Sequence, residues 1–275
     1  MAVRLGAAAL LLAIPAALAL RGRRGVLRER WKPILMYGIF GGLTVQAAYF
    51  YAIQYIDIGL ALLIEYLGVV LVVLWVWLRT RRRPGGLTLL GMVVAIAGLA
   101  VVLNPGDLAD VDPRGLAWAA LASLGMAVYF ITSAGTPGIP PVAFVASGLG
   151  VGAVGLLLLG LVGLVPLTVS FADVPLFGVS LPWWVPLAEL VVVAAVTAYV
   201  IGFIAARALG ATVAGFVGLT EVVFAVAWAW LLLGELPGWV QLGGGLVLLL
   251  GVAAVQSGSQ RDALANLDVS PEGAR

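Results

Sequence analysis

Long apolar runs separated by short charged or Gly- and Pro-containing segments are the feature that most constrains how this chain folds. Nine runs of about 17 to 25 residues are each long enough to cross roughly 30 Å of hydrocarbon as an α-helix. Charged residues make up 10% of the chain, against roughly 25% in soluble domains. The pattern predicts an all-α polytopic membrane protein with spans near 4–20, 34–54, 58–78, 86–103, 114–133, 142–165, 183–206, 211–233 and 238–256.

Basic residues between the runs predict the orientation. The segment RGRRGVLRERWK after the first run holds six of the fifteen Lys and Arg residues, and RTRRRP after the third holds four more. Such segments stay cytoplasmic. Arg207 and the C-terminus are therefore predicted inside, in the inner (plasma) membrane of the cell, whereas the acidic loop NPGDLADVDP, the residues 168–184, Arg4 and Arg114 fall outside. A signal peptide is the alternative for the first run, but the Arg cluster behind it would then be translocated.

The absence of Cys and His from the sequence limits the chemistry. No disulfide or thiol site can form, and the commonest general base and metal ligand is missing. An intramembrane enzyme is disfavoured for this reason, and because the spans lack a paired Asp motif. The sequence predicts a protein that is not an enzyme, with no cofactor, no metal site and no nucleic-acid partner.

An internal repeat appears when the chain is shifted against itself by 153 positions. Residues 44–102 then align with 197–255 without a gap, with 18 identities in 59 positions, where shared composition would give about five or six. Equivalent positions are five spans apart. Because this number is odd, the second copy is predicted to cross the membrane in the opposite direction to the first. Inverted repeats are typical of secondary transporters whose site lies near the bilayer midplane.

The two copies differ in their number of predicted spans. The second copy has five and the first has four, since nothing in the first corresponds to GLAWAALASLGMAVYFITS at 115–133. A symmetric arrangement of five plus five predicts that the chain starts one helix late, and the loss of a helix is the alternative. The predicted units are a first repeat at 1–109, a second repeat at 113–256 and a disordered cytoplasmic tail at 257–275.

Two stretches carry a family resemblance. The run ATVAGFVGLTEVVFAVAWAWLLLGELPGWVQLGGGLVLLLGVAAV resembles the closing hairpin of EamA-type members of the drug/metabolite transporter superfamily, which usually have ten helices. The run IGLALLIEYLGVVLVVLWVWLRTRRRP is similar to the threonine/homoserine exporter branch, in which a Glu is followed four residues later by Pro. Val69 and Val222, equivalent under the repeat, stand where the family has proline, so the cavity is expected to be shaped differently.

Two acidic residues lie deep within predicted spans. Glu65 follows the start of its span by seven residues, about 10 Å, and Glu221 lies about 15 Å from the inner surface. An ionised carboxylate in the bilayer is costly, and such groups usually face a cavity or a proton path. Lys and Arg occur only at or beyond the ends of the predicted spans, as with Arg207, so neither carboxylate has an evident cationic partner. Both are predicted to line a substrate and proton pathway; protonated, purely structural carboxyl groups are the alternative.

Further polar side chains are candidates for the same pathway. Gln46 and Tyr49 share one helix face, Tyr199 is the repeat equivalent of Gln46, and Tyr129 lies on the fifth span. Together they predict a cavity with hydroxyl and amide groups that suit a small zwitterion, whereas simple helix packing is the alternative. GVGAVG at 150–155 matches a dinucleotide motif, but it lies inside an apolar run, which favours helix packing through small residues.

The resemblance implies a secondary active transporter that exports a small metabolite or amino acid by alternating access, coupled to protons. Its implied partners are a small-molecule substrate, protons and the lipid bilayer, and a homodimer stays open. The alternatives are a drug or multidrug exporter of the same superfamily and a non-transporting membrane scaffold or sensor.

Overall fold

Nine apolar helical spans form most of the described structure, which is a computed structural model. It describes residues 1–23, 25–104, 111–167, 171–176, 179–234 and 236–268. Each of the nine predicted runs corresponds to one span. The acidic residues 105–110 and the end of the tail at 269–275 lie outside the described residues. In chain order, spans 1 to 9 are Ala2–Ala19, Trp31–Ala52, Ile58–Thr80, Gly86–Leu103, Pro113–Ala134, Pro141–Leu161, Trp184–Leu209, Ala211–Leu231 and Trp239–Asp262.

Spans 2 and 7 each contain a segment of π-helix. Span 2 is built from Trp31–Met36, the π-helical Tyr37–Thr44 and Val45–Ala52. Span 7 is built from Trp184–Val191, the π-helical Val192–Thr197 and Ala198–Leu209. The two π-helical segments end at Thr44 and Thr197, which are equivalent under the 153-residue shift. Short π-helical segments are rare and occur frequently at functional sites.

Spans 3 and 8 are each interrupted near the middle. Span 3 consists of Ile58–Tyr66 and Gly68–Thr80. Span 8 consists of Ala211–Gly218, Thr220–Trp228 and the first part of the π-helical segment Ala229–Leu233. Around each break the backbone bonds tighten to three-residue turns: the N–H of Val70 donates to Leu67 at 2.9 Å and that of Val222 donates to Leu219 at 3.2 Å. The breaks at Leu67 and Leu219 differ by one position under the repeat.

Side-chain caps fix where two spans begin. Asp57 accepts hydrogen bonds from the N–H groups of Gly59 at 2.8 Å and Leu60 at 3.3 Å, which satisfies two free donors at the start of span 3. Asp112 accepts from the N–H of Arg114 at 2.7 Å, and Pro113 occupies the first turn of span 5. The first cap sets the register of the half-helix that carries Glu65.

Span 4 packs along span 9 through glycines. A Cβ at Gly98 would collide with the Leu248 backbone N, and it would lie 2.8 Å from the Gly244 carbonyl oxygen. A Cβ at Gly91 would lie 2.8 Å from the carbonyl oxygen of Gly251. Gly91 and Gly244, like Gly98 and Gly251, are equivalent under the repeat. Small residues let helix backbones approach closely in a membrane, where packing replaces the hydrophobic effect as the source of association.

Substituting Gly98 with alanine is expected to destabilise the protein by about 1–3 kcal/mol, because the added methyl group meets backbone atoms that cannot rotate away. Gly243→Ala is the matched control, since no atom lies within 4 Å of a Cβ built there. Thermal unfolding in detergent should begin several degrees earlier for Gly98→Ala only. Equal unfolding temperatures for the two variants would contradict the tight contact of spans 4 and 9.

Spans 1 and 2 pack on span 6, also through small residues. A Cβ at Gly152 would lie 3.4 Å from the Cα of Gly42, and a Cβ at Gly38 would lie 2.6 Å from the Gly148 carbonyl oxygen. Gly150 faces Ala9 of span 1 at 3.9 Å. The interpretation of GVGAVG as a helix-packing segment is therefore confirmed.

The segments that connect or follow the spans contain further regular structure. The segment predicted outside contains a two-stranded antiparallel ribbon, Val174–Leu176 with Val179–Leu181. The last helix runs from Trp239 to Asp268, so the first part of the predicted disordered tail is helical. On this extension Asp262 accepts hydrogen bonds from Gly85 N–H at 2.9 Å and Thr88 Oγ1 at 3.1 Å, which caps span 4. A short helix, Gly25–Glu29, connects spans 1 and 2.

Candidate functional site

One cavity in the described part of the chain gathers the polar residues of several spans. Its volume is about 500 Å³, within the range of small-molecule sites. Spans 1, 2, 3, 5, 7 and 8 contribute to its wall, and along span 7 it reaches from Ala194 to Leu209, the last residue of that span. Its polar lining residues are Arg4, Gln46, Glu65, Tyr129, Tyr199 and Glu221.

The two carboxylates predicted for the pathway both line this cavity. Glu65 is half-buried near the end of the first half of span 3, whereas Glu221 is exposed at the start of the second half of span 8. Each therefore lies next to the break in its helix. Both carboxylates line the same cavity beside these interruptions. Two acidic groups in one enclosed cavity can bind a cation or exchange a proton with solvent.

Tyr66 is a site residue that the sequence did not reveal. Its hydroxyl donates a hydrogen bond to Oε1 of Glu221, and the bond joins span 3 to span 8 across the two helix breaks. Tyr66 is largely buried in the cluster that contains Val69, Phe216 and Leu219. Tyr66 directly follows Glu65 in the sequence, and this was the only sign that it belongs to the site. Adjacent residues on an unbroken helix point to different faces, so the sequence pattern did not place Tyr66 with the carboxylates.

Aromatic rings form one side of the cavity. The rings of Tyr129 and Tyr199 meet edge to face with their centroids 5.9 Å apart, and the ring of Tyr37 lies 5.3 Å from that of Tyr129 on the other side. A Cβ at Gly41 would lie 3.0 Å from Tyr129 Cβ, and a Cβ at Gly202 would lie 2.6 Å from the Tyr129 hydroxyl. Tyr129 thus fits between spans 2 and 7 only because both present glycine.

Five of the six predicted site residues line the cavity, and Tyr49 does not. Glu65, Glu221, Gln46, Tyr129 and Tyr199 are brought together. Tyr49 packs instead against the cluster of Ala52, Ile56 and Leu60 at the junction of spans 2 and 3. Gln46 and Tyr49 are one helical turn apart, yet only the first reaches the central space.

Arg4 corrects the expectation that no cation accompanies the carboxylates. The sequence pattern assigns this residue to the outer end of the first span, and the structure places it in the lining of the cavity. Its Nε is buried and has no hydrogen-bond partner. The long side chain explains the difference, since an arginine near a helix end extends several ångströms from its backbone.

Val69 and Val222, at which the resemblance leads one to expect proline, pack in the interface between spans 3 and 8. Val69 is fully buried and Val222 is 7% exposed. A Cβ at Gly215 would lie 3.2 Å from Cγ1 of Val69, so span 8 fits closely around this valine. Both helices are interrupted within three residues of these valines, so the breaks form without a proline at either position.

Comparisons with known proteins agree with this architecture. The sequence model described as the EamA-like transporter family matches residues 1–104 and 113–256. A solved crystal structure superimposes with a TM-score of 0.72, over 92% of this chain and 85% of that one, at 19% sequence identity. At that identity the likeness concerns the fold. No curated protein matches the chain.

Proposed function

The chain belongs to the EamA-like transporter family, and from this premise we propose that it is a secondary active transporter that exports a small metabolite or amino acid, coupled to protons. The observation that carries the proposal is the cavity of about 500 Å³ into which spans 3 and 8 each deliver a carboxylate, Glu65 and Glu221. Membrane carboxylates in such positions serve substrate binding and proton transfer.

Alternating access is proposed to follow from two inverted repeats, 1–109 and 113–256. Features at equivalent or nearly equivalent positions support this division: the π-helical segments that end at Thr44 and Thr197, the helix breaks at Leu67 and Leu219, which differ by one position, and the glycine contacts of spans 4 and 9. Interrupted helices absorb changes in backbone angles more easily than continuous ones. Rocking of one repeat against the other would then open the cavity to each side of the membrane in turn.

Substrate loading is proposed to occur from the cytoplasm. With the predicted orientation, Leu209 lies at the cytoplasmic end of span 7, and the cavity extends to it. A second cavity of about 770 Å³ shares Leu209 and lies between the ends of spans 3, 5 and 8, with Arg79 and Thr80 in its wall. This direction agrees with a C-terminus on the cytoplasmic side of the plasma membrane. The resemblance to threonine/homoserine exporters makes hydroxy amino acids the first substrates to test.

The proposal is tested with the full chain in proteoliposomes under an imposed pH gradient. Radiolabelled threonine, homoserine, leucine and phenylalanine are supplied separately, and a cationic dye is supplied in parallel. Accumulation of an amino acid that a protonophore collapses is the expected result. Transport of the dye alone would indicate a drug exporter, and neither transport nor ligand-induced thermal stabilisation would indicate a scaffold or sensor. The molar mass of the purified protein in detergent, measured by light scattering, tests whether it forms a homodimer.

A further inference from the structure

Arg4 is the only basic residue among the described residues that line the central cavity. Its Nε is buried without a hydrogen-bond partner. Buried polar groups of proteins nearly always have a partner, and a guanidinium can only donate. Arg4 therefore brings a guanidinium with an unsatisfied donor to the lining of an otherwise suitable binding space, which favours an acceptor from a ligand.

The carboxylates of the cavity do not fill this role in the described structure. Glu221 accepts its hydrogen bond from Tyr66, which fixes that carboxylate at the helix breaks of spans 3 and 8. Tyr199, which lines the same cavity, carries a phenol that can hydrogen-bond a ligand but supplies no formal negative charge to pair with the guanidinium. The site thus presents one cation and two acidic groups from three different spans.

We propose that Arg4 binds the carboxylate of a zwitterionic amino-acid substrate, whose ammonium group faces Glu65 and Glu221; this rests on the proposed transport function. A guanidinium binds a carboxylate through paired, charge-assisted hydrogen bonds. A phosphorylated substrate would satisfy Arg4 equally well, but its additional negative charge would be repelled by the two acidic groups in the same cavity. A cationic amine would suit the acidic groups and leave Arg4 without a partner. Only a zwitterion provides a negative group for Arg4 and a positive group for the two carboxylates.

Matched ligands test this assignment on the unmodified protein. Threonine, leucine and phenylalanine are each compared with their methyl esters, which keep the ammonium group and the side chain but lose the carboxylate. Affinities are measured by thermal shift and by competition for transport in proteoliposomes. At least one free amino acid is expected to bind about tenfold or more tightly than its ester, because the ester cannot form a charged pair with Arg4.

Variants of Arg4 then locate the effect. Arg4→Gln is expected to remove the preference for the free acid, and Arg4→Lys to retain part of it, because lysine keeps the charge but not the paired donors. Arg114→Gln is the matched control: Arg114 also lies in the first turn of a span, but it is exposed and outside the cavity lining. This control is expected to keep the preference of the native protein.

The outcomes separate this inference from the proposed function. Transport in which acid and ester compete equally, in the native protein and in Arg4→Gln, would overturn the role of Arg4 and leave the transporter proposal intact. Stronger binding of a phosphorylated amino acid than of its parent would also overturn the zwitterion assignment. If no amino acid binds or is transported, the role of Arg4 and the amino-acid form of the proposed function both fail. The comparison of acid with ester needs no variant, so it holds even if Arg4→Gln does not fold.

Discussion

Replacing Glu221 with glutamine is expected to abolish proton-driven accumulation of substrate. Glutamine has nearly the shape of the protonated carboxyl group, and it can still accept the hydrogen bond from Tyr66, but it cannot release a proton. Coupling between two ligands of a carrier is commonly worth roughly 5- to 150-fold in affinity. Without a titratable group at this position that coupling disappears, and uptake driven by a pH gradient should fall to the level of empty liposomes.

Solute exchange distinguishes lost coupling from lost folding. Counterflow, in which unlabelled substrate inside drives entry of labelled substrate, needs the cavity and its movement but no net proton flux. Glu221→Gln is therefore expected to retain counterflow at saturating substrate, where a weaker contact with the ammonium group does not limit exchange, while it loses gradient-driven uptake. Glu189→Gln is the matched control, because Glu189 is an exposed glutamate on span 7 that does not line the cavity. Gradient-driven uptake by Glu221→Gln at the native rate would contradict proton coupling through this residue.

Glu65→Gln separates two arrangements of the coupling site. Glu65 and Glu221 line one cavity but belong to different spans. If they share the coupling, each single substitution should abolish gradient-driven uptake. If Glu65 only contacts the ammonium group of the substrate, its replacement should weaken binding and leave the ratio of protons to substrate unchanged. Simultaneous measurement of substrate and proton fluxes at saturating substrate distinguishes the two.

The spans could be predicted from the sequence because length and hydrophobicity alone decide which segments cross a bilayer. The internal features of those spans could not. The π-helical segment at Tyr37–Thr44 and the break at Leu67 leave the apolar character of the sequence unchanged. They depend on contacts between spans: a Cβ at Gly68, for example, would lie 2.5 Å from the carbonyl oxygen of Ser123 in span 5. Such contacts become visible only when the helices are assembled.

The sequence indicated some residues of the candidate site and missed others, because the missed ones also depend on how the helices are assembled. Glu65 and Glu221 stand out in any apolar run, because a carboxylate there is costly. Arg4 did not stand out, since a charge near a helix end usually reaches the headgroup region. Tyr66 and Tyr49 show the limit of helical periodicity: the break at Leu67 brings Tyr66 to Glu221, whereas Tyr49 turns to a neighbouring cluster although it shares a face with Gln46.

Gly202→Leu is expected to block transport almost completely while the protein still folds. Gly202 lines the cavity on span 7, and a Cβ there would already lie 2.6 Å from the Tyr129 hydroxyl. A leucine side chain at Gly202 would project into the cavity beside Tyr129 and fill part of the volume that a substrate needs. Both counterflow and gradient-driven uptake should be lost, since occlusion stops every mode of transport, unlike the loss of a proton carrier.

A matched substitution controls for the added bulk. Gly243→Leu introduces the same side chain in span 9, where no atom lies within 4 Å of the Cβ position, and it should transport normally. Gly202→Ala should give an intermediate effect, because Tyr129 is held at its Cβ by Gly41 and only its hydroxyl end can shift. Binding of the amino acid to Gly202→Leu, measured by thermal shift, should be lost together with transport. Native transport by Gly202→Leu would show that the substrate does not pass between spans 5 and 7, and the route through this cavity would have to be abandoned.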